Sequence, residues 1–159
     1  LKPISIVVER LDPATVEAAG LYHGVFRTPI ETNVAGVKGG GVSYLPVVRI
    51  PAQVEIATEE ELVAVGLGDA PASNETYVTH RRDLYALGLL SGTDVYGTPQ
   101  INPRDRITAL ERKGHVGTVV RAMVEPLYIL QVETGSWGMG PAGHDLIVIY
   151  VEDRSKLDR

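Results

Sequence analysis

Cysteine is absent from the 159 residues, which removes both a disulfide framework and a thiolate metal site and leaves stability to packing or partners. Aromatic residues are scarce, with one Phe and one Trp against seventeen Gly and ten Pro. That balance points to many turns and thin aromatic packing. No apolar run approaches the roughly 18 residues of a membrane span, and Leu1-Lys2-Pro3-Ile4 lacks the long apolar segment of a secretion signal. A soluble protein, with no membrane partner, is the expectation. Excess positive charge is also missing: 15 basic residues face 20 acidic ones, a net charge of −5. A binder that gains affinity by neutralising phosphates would carry the opposite sign. A surface that nucleic acid must slide past without sticking is compatible with mild negative charge, as is ordinary solubility. The length suits one domain with a proper core.

Catalytic wording is thin as well. The histidines are His23, His80, His115 and His144, none at the i, i+4 spacing of a helical zinc pair. His80 stands three residues before Asp83, where a surface ion pair is a commoner outcome than general-base catalysis. Gly135-Ser136-Trp137-Gly138 follows Thr134, so the Gly-x-Ser-x-Gly elbow is not formed. Gly36-Val37-Lys38-Gly39-Gly40-Gly41 lacks the Gly-Lys-Ser/Thr ending of a phosphate loop. Glu59, Glu60 and Glu61 together suit a helix start better than a cation site. The reading is of a non-enzyme, without cofactor or metal.

The most structured wording runs from Pro99 to Glu133. A turn at Ile101-Asn102-Pro103-Arg104 leads into Arg106-Ile107-Thr108-Ala109-Leu110, a break at Arg112-Lys113-Gly114 follows, and Gly117 to Arg121 resumes the pattern. This predicts a β-hairpin, with Gly114 supplying the positive φ of a short loop. Pro126 is expected to end the second strand and Leu127 to Val132 to form a third, making a meander. Ile4 to Arg10 predicts a strand at a sheet edge or beside a neighbour. Leu45 to Thr58 predicts a long strand with a break or bulge at Pro51 and with Val47, Val48, Ile50, Val54 and Ile56 buried. Thr58 and Glu61 have the spacing of a capping box, which starts a short helix ending near Gly66 or Gly68. Gly68 to Glu75 reads as a loop. Thr76 to Leu87 is ambiguous: Thr76, Tyr77 and Val78 favour a strand, whereas Arg82 to Leu87 suit a helix. Leu89 and Leu90 either cover the core or meet a partner. His144 to Val151 is apolar on both faces and predicts a strand at a sheet centre or against another subunit. Residues 32–43 and 134–143 are glycine-rich loops, and 152–159 a polar tail. The fold expected is a mainly β single domain over 1–159, a small antiparallel β-barrel with long loops and one short α-helix.

Thr79-His80-Arg81, then Ile101-Asn102-Pro103-Arg104-Asp105-Arg106-Ile107, then a Lys-Gly turn and an apolar strand, together resemble the head-tail adaptor or head-closure (stopper) proteins of tailed bacteriophages. The resemblance covers residues 46–133 and rests on short motifs. In other barrels the same turn needs Asp105 only to close an Asx turn. What it implies is a structural virion protein at the head-tail junction, a homo-oligomeric ring of six or twelve copies. Its neighbours would be the portal or adaptor protein on one side and a tail terminator or tail tube protein on the other, with packaged double-stranded DNA passing close by. By position, Lys38, Gly39, Gly40 and Gly41 would form a channel loop, and truncating 32–43 would let packaged DNA leak. Arg81, Arg82, Arg104 and Arg106, with Arg112 and Lys113 nearby, follow carboxylates Glu59 to Glu61, Asp69 and Glu75. Such segregation suits either subunit contacts or pairs within one chain. Trp137 and Met139 either enter a partner's groove or cap the barrel. Competing readings are a tail terminator or minor tail protein, and a small β-barrel ligand-binding module or enzyme using Asp94, Asp105 or His144.

Overall fold

A computed structural model gives the architecture and describes residues 3–13, 43–64, 66, 72–93, 96–135 and 146–152. Six antiparallel strands close into a barrel: β1 (Ile4–Glu9), β2 (Val48–Ile56), β3 (Ala72–His80), β4 (Arg106–Arg112), β5 (Val119–Gly135) and β6 (Leu146–Glu152), in the order β1-β2-β3-β6-β5-β4. Two short helices accompany them, α1 (Glu59–Ala64) and α2 (Arg81–Ala86). The second helix was legible only as an ambiguous stretch. β3 runs directly into it at His80, whose backbone is still extended.

Closure explains the burial pattern. β1 pairs with β2 on one side and β4 on the other, so it is not an edge strand. Ile6, Val8, Ile50, Ile147, Ile149 and Val151 point inward and are fully buried. The outer face of β6 is covered too: Tyr150 and Val148 pack against Ala57 and Leu62 of the α1 segment. That second layer accounts for the two-faced apolar run in the sequence. Leu84, Leu89 and Leu90 join the interior cluster and close one end of the barrel. The leucine pair therefore serves the core.

Helix α1 begins as its spacing predicts. The Thr58 amide donates to Glu61 Oε2 at 2.8 Å and the Glu61 amide donates to Thr58 Oγ1 at 3.2 Å. Gly66, at φ +81, closes the turn through its amide on the Val63 carbonyl. Its glutamates sit at the amide-rich end of the helix, where negative charge is favoured.

Four expectations are corrected. Pro126 does not end a strand: β5 runs seventeen residues through it. Ala109 pairs with Ala122 but Ile107 pairs with Leu127, so β5 carries extra residues in between. Within that bulge no ladder asks Pro126 for an N–H. The predicted meander is thus one hairpin whose second arm is long and bent. At Pro51 the register with β1 continues unbroken, without a bulge. Its carbonyl accepts from Thr79 Oγ1 of β3 at 2.8 Å. The proline nitrogen faces the same side, where β3 begins pairing only at Gln53. Of the apolar residues expected inside β2, Ile50 is buried and Val48 half-buried, while Val47, Val54 and Ile56 are exposed. Val54 and Ile56 have the inward parity but lie beyond the filled part of the barrel. Finally, Ala72 to Glu75 belong to β3 rather than to a loop, held by Ile56 on one side and Glu152 on the other.

Candidate functional site

The registers divide the barrel into two ends. At the first lie the end of β1, the starts of β2 and β6, helix α2 and the 101–106 turn. At the second lie the start of β1, the end of β2, helix α1, the start of β3 and the β4-β5 hairpin.

The first end is built around Asp105, only 2% exposed. One carboxylate oxygen accepts from the Leu11 amide and the other from the Asn102 amide, both at 2.8 Å. Burial pushes its pKa up, opposed by those two amides and by the positive charge of Arg10. The Arg104 amide donates to the Ile129 carbonyl, and the Ile129 amide to that of Asp105. Arg104 holds φ at +82 to make the corner, a conformation that non-glycine residues adopt at a cost. One residue on, Arg106 donates from Nε to Glu9 at 2.8 Å, forms an ion pair with it at 2.7 Å, and lies 3.7 Å over the Tyr44 ring. Tyr44 bridges to Leu11, and the Asp12 amide donates to the Ser43 carbonyl. The motif carrying the resemblance is therefore a fastening where the chain leaves at Asp12 and returns at Ser43.

Of the other arginines singled out in the sequence, Arg81 and Arg82 lie at the same end. Arg81 Nη1 donates to the Gly97 carbonyl at 2.6 Å. A Cβ at Gly97 would lie 1.8 Å from the Ser91 carbonyl oxygen, which fits only glycine there. Arg82 is exposed on α2 and Arg104 is half-buried. A cleft of about 350 Å³ runs beneath the turn, between Thr98 to Pro103 and Leu130 to Thr134. Arg81, Arg82, Arg104 and Arg106 are thus brought to one end, Arg81 and Arg106 by contacts within the chain. Lys38 to Gly41, Trp137, Met139, Asp69, Asp94 and His144 lie outside the described residues.

The second end carries a polar cluster that sequence reading missed. Among the described residues β6 ends at Glu152, and a notch in the wall follows between β3 and the β5 bulge. Arg121 of β5 reaches across it to Glu75 of β3, with Nη1 to Oε1 at 2.9 Å and Nη2 to Oε2 at 2.5 Å. The same Nη2 donates to the Tyr77 hydroxyl at 3.0 Å. Tyr77 is fully buried in the core with its hydroxyl under this pair. Burial pushes the phenol up to about 12, with the Arg121 charge pulling it down and Glu75 pushing it up. The Arg121 guanidinium is held more firmly protonated by its hydrogen bond to Glu75. This cluster caps the core and forms one wall of an open cleft of about 700 Å³, whose remaining lining includes Ile56, Asn74, Met123, Val124, Glu125 and Leu127.

Beside it, Arg49 Nε donates to Glu111 at 2.7 Å, and this hydrogen bond draws the Glu111 carboxyl below its ordinary range. The hairpin tip, Arg112 to Thr118, is turned tightly: the His115 amide donates to the Arg112 carbonyl, and Gly114 and Gly117 take φ of +78 and +84. His115 is exposed. Among the described residues no cluster of three His, Asp or Glu side chains is placed to hold a metal ion. Arg121 and Glu75 stand 46 positions apart. Only the inward parity of Glu75 and Tyr77 on β3 could have pointed to them.

No family model, curated protein or solved structure matches the chain.

Proposed function

We propose that this chain is a structural component of the head-to-tail connector of a tailed bacteriophage, a ring subunit that joins the portal side to the tail and helps retain packaged DNA. The observation that carries the reading is the place of the motif residues. The Ile101 to Ile107 turn ties β4 to β5 and to Leu11 at one end of a closed barrel, with Arg81, Arg82 and Arg104 gathered around it. Supporting it is a difference between the ends: Glu55, Glu59, Glu60, Glu61 and Glu125 stand exposed at the opposite end, beside Arg112 and Lys113 of the hairpin tip. A rigid barrel with unlike ends has the polarity that a layer between two different neighbours requires, because each end then discriminates one partner from the other. The residues around the fastening offer docking and geometry, which fits a role without turnover.

Electron microscopy of lysates in which the gene is silenced tests this. DNA-emptied heads separate from complete free tails are the expected result, and normal tailed particles would remove the proposal. Complete heads that retain DNA beside tails of irregular length would favour the tail-terminator alternative instead.

A further inference from the structure

We infer that the second end of the barrel is a self-association surface, in which the β4-β5 hairpin tip of one copy seats in the notch between β3 and β5 of a second copy. Three observations meet there. First, backbone pairing stops: β5 pairs with β4 up to Ala122 and again from Leu127, and with β6 only from Tyr128, so Met123, Val124 and Glu125 have no strand partner among the described residues. An extended segment without a ladder, beside an open cleft of about 700 Å³, is a receptive surface.

Second, apolar surface collects at this end. Among the described residues eleven large hydrophobic side chains are exposed, and seven of them (Val54, Ile56, Val63, Val116, Val119, Val120 and Val124) lie here, with Val124 wholly in solvent. A concentration of that kind marks an interaction site more often than scattered exposed residues do.

Third, the charges are complementary within one and the same chain. Arg112 and Lys113 at the tip, and Glu125 at the notch, make no side-chain hydrogen bond or ion pair among the described residues. The tip adds exposed Val116 to its two positive charges, and the notch offers Ile56, Val124 and a carboxylate. The tip cannot turn back into its own notch, because Glu111 pairs with Val119 and the arm between them is fixed. A second copy, which carries both the basic tip and the acidic notch, is therefore the occupant.

This inference rests on the ring reading for its biological setting, but the test is made on the purified chain. Sedimentation equilibrium of the wild type should show association that weakens at least tenfold between low and high salt, as charge pairing at an exposed rim requires. R112E/K113E and, separately, E125K should each weaken it about tenfold or more. The combination of all three should restore it. All three positions are exposed, and an unchanged thermal melt will show that the variants fold. A wild type that stays monomeric, or variants that associate as the wild type does, would overturn the interface. Monomeric protein that still locates to head-tail joints in particles would sink this interface and leave the connector reading standing. Restored association in a chain absent from particles would do the reverse.

Discussion

The two ends of this barrel use the same residue types to different effect. Around Asp105 the charges are turned inward upon the chain: a buried carboxylate takes two amides, and Arg106 is shared between Glu9 and a tyrosine ring. Around the notch, Glu75 and Arg121 satisfy one another across a gap in the wall, while Arg112, Lys113 and Glu125 face solvent. Charge that is buried and matched fixes a conformation, because breaking any one partner leaves an orphan. Charge left at a rim adds little to folding but sets what the surface attracts. The first end is thus expected to govern stability and the second to govern association.

The sharpest way to break that contrast is Asp105→Ala. It leaves the Leu11 and Asn102 amides without their acceptor in partly buried positions. At roughly 1–3 kcal/mol for each orphaned donor, a loss of about 2–5 kcal/mol in urea unfolding is expected. A loss below about 0.5 kcal/mol would show that the motif does not fasten the fold.

Next in size is an effect of pH at the other end. The Tyr77 phenol stands at about 12 in the folded chain against an ordinary value of 10.0, chiefly through burial. Its folded pKa is raised, so the folded state holds the proton more tightly. The contribution is complete below pH 10 and is lost as pH rises towards 12, by of the order of 2 kcal/mol. Tyr77→Phe should flatten this alkaline limb, in stability measured from pH 9 to 12. An equally steep limb in the variant would assign the loss elsewhere. Glu111 has the opposite sign, since its carboxyl is lowered by Arg49: its contribution is present above the ordinary carboxylate range and fades as pH falls.

Arg121→Ala should cost less. The Arg121 and Glu75 side chains are 44% and 32% exposed, so solvent screens the pair they form. About 1 kcal/mol or less is expected at neutral pH. A loss as large as that for Asp105→Ala would mean that the notch is a structural centre as well.

What sequence reading reached and missed follows the distance over which each feature is decided. The capping box of Thr58 and Glu61, the turn at Gly114 and the two-faced run of β6 depend on residues a few positions apart. All three were visible. The 101–107 motif was visible as a turn, but the Leu11 amide that makes Asp105 a fastening comes from 94 positions away. Alternation assigned Val54 and Ile56 to the inner face without showing that β2 runs past the filled interior there. Pro126 read as a stop because the bulge that accommodates it is set by how β4 and β6 share one long strand. The Glu75–Arg121–Tyr77 cluster has no local signature at all, since two strands must first be brought across the barrel mouth.

The smallest expected effect on stability is the most informative about function. Arg82 is exposed on α2, at the arginine end, next to Arg81 whose guanidinium is engaged with Gly97. Arg82→Glu should change the folding free energy by less than about 0.5 kcal/mol, because it breaks no buried contact. If that end docks a neighbour by charge, the same substitution should lower the yield of joined particles severalfold, and Arg82→Lys, which keeps the sign, should largely preserve it. Equal yields from both variants would assign the arginine end to folding alone and leave the notch as the surface through which this chain meets its neighbours.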